Sequence, residues 1–246
     1  MKYFCIANEP GISWGLVSDD NVSFCCSNGN FIASALSAVR NCFFDVFGAD
    51  VVNAHPTLAI IPTSDNPVTF RKLNLIALSS KGSYYLQHIY QFSHELCHFM
   101  IPYDVCAPYR WFEETLCETM SWYALNWISK NKDRYQSYPF FSLIGEIDRY
   151  ISDIQTNRIY TNDPIPLFLS HNLTNLKSIC YNRPLNTTFA YSIYPYFLQC
   201  PVLWNIVPHL HTINSDMSFH DALLHILRAG SVPQDLGDQF IKSLCE

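Results

Sequence analysis

His94-Glu95-Leu96-Cys97-His98 carries two imidazoles four residues apart with a carboxylate beside the first. On a helix, side chains four apart share a face, and an adjacent residue is turned about 100° away. His94 and His98 can therefore hold one metal ion while Glu95 reaches a water beside it. A random ordering of 9 His and 7 Glu in 246 residues yields this pattern about once in a hundred chains. The pentapeptide needs support from its surroundings.

The preceding stretch, Ser83-Tyr84-Tyr85-Leu86-Gln87-His88-Ile89-Tyr90-Gln91-Phe92, holds no Pro or Gly and follows Gly82-Ser83 as a start signal. It predicts a helix from about Ser83 to Met100. Two histidines do not complete a catalytic zinc site, which takes three protein ligands and leaves the fourth position to water. Trp111-Phe112-Glu113-Glu114-Thr115-Leu116-Cys117-Glu118, continuing to Leu125, reads as a second, largely apolar helix with three carboxylates. A carboxylate on a buried helix requires a partner, and a metal is a strong one. Glu114 and Glu118 are four apart and share a face, whereas Glu113 points elsewhere. Glu114 is expected as the third ligand, with Glu118 as the acceptor that orients an imidazole N–H of His94 or His98.

On HELCH at 94–98 and WFEETLCE at 111–118 the chain resembles the gluzincin zinc metallopeptidases, the group of thermolysin and the zinc aminopeptidases. The resemblance covers roughly residues 70–128. It implies one Zn²⁺ held by His94, His98 and Glu114, with Glu95 as general base for peptide-bond hydrolysis. It also implies a later Tyr or His as oxyanion donor, for which Tyr191 and Tyr194, and then Tyr196, are the candidates. The spacer from His98 to Glu114 is shorter than in the best-known members, and the aminopeptidases' glycine-rich, Glu-bearing segment has no equivalent here.

Leu73–Ser79 reads as a strand, and in resembling proteins such a strand edges a sheet above the zinc and binds an extended peptide by strand addition. Two accounts without peptidase activity compete: a catalytically silent zinc protein that presents its cleft to a partner, and a metal-free helix pair with satisfied core histidines. Arg183 and Asn186 are read either as substrate contacts or as residues that cap and link helices.

A composition of 49% hydrophobic and 15% charged residues fits a globular chain, and 15% aromatic residues point to heavy internal packing or an apolar surface. A net charge of −6, 15 Lys plus Arg and no basic run argue against nucleic-acid and anionic-membrane partners, while the resemblance implies a peptide or protein substrate. The N-terminal segment lacks a signal-peptide core and no segment reaches membrane-span length, so a cytoplasmic protein with reduced thiols is expected despite ten cysteines. Cys97 and Cys117 are expected as small packing residues.

The expected fold class is α+β: a small N-terminal mixed-sheet lobe packed on the HExxH helix, residues 1–128, then a mainly helical lobe, residues 129–246. Within it, Gly11, Gly15 and Asn28-Gly29 read as turns, and Asn30 caps a helix from Phe31 to about Phe47. Strands follow at Thr57–Ile61 and Leu73–Ser79, with a polar link at Ser129–Tyr138 after the site helices. Phe140–Ile154 then reads as helix. Pro164, Pro166 and Pro184 bracket an irregular stretch, and Pro195, Pro201 and Pro208 mark starts or kinks in a helical C-terminal third.

Overall fold

The structure, a computed structural model, describes residues 2–18, 29–63, 65–80, 84–158, 161–179 and 181–245. The turn signal at Asn28 and the helix start at Gly82-Ser83 lie outside the described residues. The class is α+β, with a five-stranded mixed sheet followed by helices. The strands are β1 (Lys2–Glu9), β2 (Ile12–Ser18), β3 (Thr57–Pro62), β4 (Val68–Phe70) and β5 (Leu75–Leu78), in the order β1-β2-β3-β5-β4. The outer pairs β1/β2 and β5/β4 are antiparallel, and the inner pairs β2/β3 and β3/β5 are parallel. The helices are α1 (Gly29–Phe47), α2 (Ala49–Asn53), α3 (Tyr85–Phe99), α4 (Arg110–Lys130), α5 (Ile147–Arg158), α6 (Ile165–Ser178), α7 (Arg183–Gln199), α8 (Phe219–Ala229) and α9 (Gln234–Cys245).

Where the sequence places one boundary near residue 129, the structure's two compact units interleave. One is Met1–Phe99 with Ala124–Ile151; the other is Met100–Tyr123 with Ser152–Glu246. In the first unit, α1 covers β1 and β2, α3 covers β5 and β4, and the two helices pack on each other. Both therefore lie on one face of the sheet, over the inward-pointing Trp14, Leu16, Leu58, Ile60 and Ile76, each 2% exposed or less. In the second unit, Trp111, Phe112, Phe189 and Phe219 pack ring against ring, and Phe168 stacks on Phe189.

Several sequence expectations are corrected by this arrangement. The strand expected at Leu73–Ser79 begins at Leu75, because Arg71–Leu73 form a 3₁₀ turn that closes on Asn74 in the left-handed region at φ 48°. Asn tolerates that conformation, and its side chain also reaches Thr57 Oγ1 at 3.2 Å. More importantly, β5 is an interior strand, and the edge is the three-residue β4. Gly15 and Gly29 are not turn residues. Each lies beneath an aromatic ring, Tyr3 and Phe4 respectively, where a Cβ would collide. With the helix starting at Gly29, Asn30 falls in its first turn instead of capping it.

The stretch between Pro164 and Pro184 holds helix α6, Ile165–Ser178. Its prolines sit at the N-cap and in the first turn, where no amide hydrogen is required for the helix. Helix α4 runs on to Lys130, so the expected polar link is shorter and contains a 3₁₀ turn at Lys132–Tyr135. The helix expected from Phe140 starts at Ile147, preceded by a 3₁₀ stretch at Pro139–Glu146. Tyr135 and Tyr138 pack at 5.3 Å between ring centroids, the i, i+3 pairing that three residues per turn favours. Pro195 lies inside α7 and Pro208 inside the 3₁₀ stretch Pro201–Thr212, which Pro201 opens.

On α3, His88 is fully buried, its Nδ1 3.0 Å from the Tyr84 carbonyl oxygen, and burial lowers its pKa to about 4. The unfolded chain takes up a proton near pH 6.5 that the folded chain refuses, so stability is lost as pH falls from 6.5 toward 4. His88 is expected to remove about 2 kcal/mol of stability between pH 7.5 and 5. Urea unfolding at the two pH values should show that loss shrinking by this amount in His88→Leu.

Candidate metal centre

Helix α3 presents the HExxH segment, and three polar ties fix it to the sheet. Gln91 Oε1 accepts the amide hydrogens of Ser79 and Ser80 at 3.1 and 2.9 Å, and Gln91 Nε2 donates to Ser79 Oγ at 3.1 Å, holding the helix to the end of β5. Thr69 on β4 places its hydroxyl 2.9 Å from Glu95 Oε2 and 2.7 Å from the Glu95 carbonyl oxygen. Arg71, just past β4, donates from Nε to the His98 carbonyl oxygen at 2.9 Å.

The two imidazoles meet through their Nε2 atoms, 3.3 Å apart, with ring planes inclined at 65°. A tetrahedral zinc at Zn–N distances of about 2.0–2.1 Å holds two nitrogens roughly 3.3–3.4 Å apart. One ligand atom each from His94, His98 and Glu114 all lie within 4.8 Å of one another. Glu114 is brought to the imidazoles; Glu113, buried at 7% exposure, is not part of the group. All three ligand residues are half-buried, and among the described residues this is the one such group of three His, Cys, Asp or Glu side chains. The cluster can hold a metal ion, and two neutral imidazoles with one carboxylate are the donor set of a catalytic zinc.

Helix α4 supplies Glu114 from a segment buried on nearly every side. Its buried hydroxyls turn back onto the helix: Thr115 to the Trp111 carbonyl, Thr119 to that of Thr115, and Ser121 to that of Cys117. Glu118, 4% exposed, accepts a hydrogen bond from Thr187 of α7 at 3.2 Å. Asn186, also on α7, donates to the Trp111 carbonyl at 2.7 Å, so of its two expected roles the helix-linking one is realised. Tyr191 and Tyr194 stand edge-on to Trp122 at 5.7 and 5.9 Å, Tyr194 buried and Tyr191 half-exposed. Cys97 and Cys117 are fully buried, as expected of small packing residues.

No family model, curated protein or solved structure matches this chain. Among the described residues no helix is long and apolar enough to cross a membrane. Two residues escaped the sequence reading, Thr69 and Thr187. Thr69 had one usable signal, the alternation in Val68-Thr69-Phe70 before the Arg71 turn, which marks a short strand with Thr on one face. Thr187 had none, because its partner Glu118 lies 69 residues away.

Protein purified without chelators is expected to carry about one zinc per chain, and Glu114→Ala to lose most of it, by elemental analysis. Folded wild-type protein that takes up no zinc when supplied would show that the cluster holds none. Thr187→Val leaves Glu118 buried with one donor fewer and is expected to cost about 1–3 kcal/mol in urea unfolding.

Proposed function

We propose that the chain is a zinc-dependent hydrolase of peptide bonds, of the gluzincin kind. The observation that carries this reading is the 3.3 Å approach of the two imidazole nitrogens, with the Glu114 carboxylate completing the group and Glu95 next in sequence to a ligand. Bound at this cluster, zinc would supply Lewis acidity, polarising a carbonyl and making a water acidic enough to react near neutral pH.

The residues of the chain then have defined work. His94, His98 and Glu114 hold the ion, and Glu118, one turn beyond Glu114, is the acceptor that orients an imidazole N–H of His94 or His98. Glu95 accepts the proton of the attacking water and returns it to the leaving amine. The edge strand β4, which carries Thr69 against Glu95, offers its open side to an extended peptide that pairs as an added strand. Its outward side chains, Val68 and Phe70, are 37% and 42% exposed, which favours a substrate with apolar groups on the facing side. The resemblance leaves Tyr191 and Tyr194 as the candidates for the oxyanion donor.

Glu95→Gln keeps the shape of the side chain and removes its basicity. It is expected to retain zinc and to lose cleavage of a quenched-peptide panel by about a hundredfold or more. Unchanged cleavage would exclude Glu95 as the base. A zinc-loaded wild type that binds a hydroxamate and cleaves nothing would leave the silent, partner-binding account in its place.

A further inference from the structure

The side chain that holds Glu95 is on a different element from every residue of the HExxH motif. Among the described residues, Thr69 is the only hydrogen-bond partner of the Glu95 carboxylate, at 2.9 Å from Oε2. We infer that Thr69 is a positioning residue for Glu95: its hydroxyl anchors Oε2 and leaves Oε1 to exchange a proton. This inference rests on the peptidase reading above.

The geometry is set by the sheet. Thr69 is the middle residue of β4 and pairs with Ile76 of β5, a fully buried strand position. Strand residues alternate between faces, so with Val68 and Phe70 turned outward Thr69 is the one side chain of β4 that faces α3. Two residues on, Arg71 is tied to the His98 carbonyl, so the strand meets the helix at two points, beside Glu95 and beside His98. These contacts lie three residues apart on α3, on one face of the helix.

The anchor matters because a glutamate has three rotatable bonds between backbone and carboxylate. A general base must stay within hydrogen-bond reach of the proton it takes, and a displacement of about 1 Å can cost a hundredfold in rate. Glu95 is 6% exposed, so solvent does little to fix its orientation. The threonine hydroxyl has a single proton, which it directs to Oε2 or to the Glu95 carbonyl oxygen, 2.7 Å away; both hold Thr69 against the same residue. Because Thr69 belongs to the strand proposed to receive substrate, the base and the peptide register are fixed by the same three residues.

The experiment uses full-length, zinc-loaded protein with Thr69→Val and Thr69→Ser, assayed on the peptide that the wild type cleaves best. Thr69→Val is expected to lower kcat about tenfold or more with KM within about twofold and zinc content unchanged, and Thr69→Ser to restore most of the loss. A Thr69→Val enzyme with wild-type kcat, or a Thr69→Ser enzyme as impaired as Thr69→Val, overturns the inference. Independently of activity, Thr69→Val should lower the urea midpoint of the metal-free protein more when Glu95 is present than in Glu95→Ala. Equal shifts in the two backgrounds also overturn it. A zinc-loaded wild type that cleaves no peptide sinks the peptidase reading itself, whereas an active wild type matched by Thr69→Val sinks this inference alone.

Discussion

A carboxylate taken out of water must find charge or hydrogen bonds inside the protein, and α4 carries three acidic residues through a buried stretch. Much of the site's construction answers that demand. Glu118 is met by Thr187, and Glu114 by the imidazoles that share a metal-binding group with it. The hydroxyls of Thr115, Thr119 and Ser121 donate to carbonyls one turn back on α4, and Thr115 Oγ1 also accepts from Asn186 at 3.4 Å. The demand also accounts for Thr187 on α7, while its neighbour Asn186 serves the Trp111 carbonyl of α4.

The second principle is preorganisation. Gln91 at mid-helix and the Thr69 and Arg71 contacts toward the C-terminus clamp α3 to the sheet with hydrogen bonds of 2.7–3.1 Å. A helix held at several points along one face by directional bonds cannot slide or rotate about its axis without breaking them. That is the condition for the two imidazoles to keep their nitrogens 3.3 Å apart. Apolar packing of Ile89, Phe92 and Leu96 supplies most of the adhesion, and the polar ties supply the register.

What could be read from the sequence follows the range over which each signal acts. HExxH, the acidic apolar helix after it and the strand at Thr57–Pro62 depend on neighbours a few residues away, so periodicity revealed them. The choice of Glu114 over Glu113 was also legible, because helical phase is a local property. Strand β4 was missed because three residues contain barely one period of alternation. Helix α6 was missed because prolines at 164 and 166 look alike whether they break a helix or begin one; only the backbone after them distinguishes the two. The pairs Glu118–Thr187 and Thr69–Glu95 join residues 69 and 26 positions apart, and no pattern in a single chain records such distances.

The interleaved units bear on how the chain acquires its structure during synthesis. Helix α1 packs against the 3₁₀ stretch Pro139–Glu146, and Tyr90 of α3 meets the ring of Tyr150 at 6.3 Å. Those partners belong to Ala124–Ile151, which the ribosome makes only after it has finished Met100–Tyr123. At roughly 5–20 residues per second, the interval from residue 99 to residue 151 lasts about 3–10 s. For that time the nascent sheet and its two covering helices expose apolar surface that has no covering yet, which makes this interval the one in which a chaperone has most to protect.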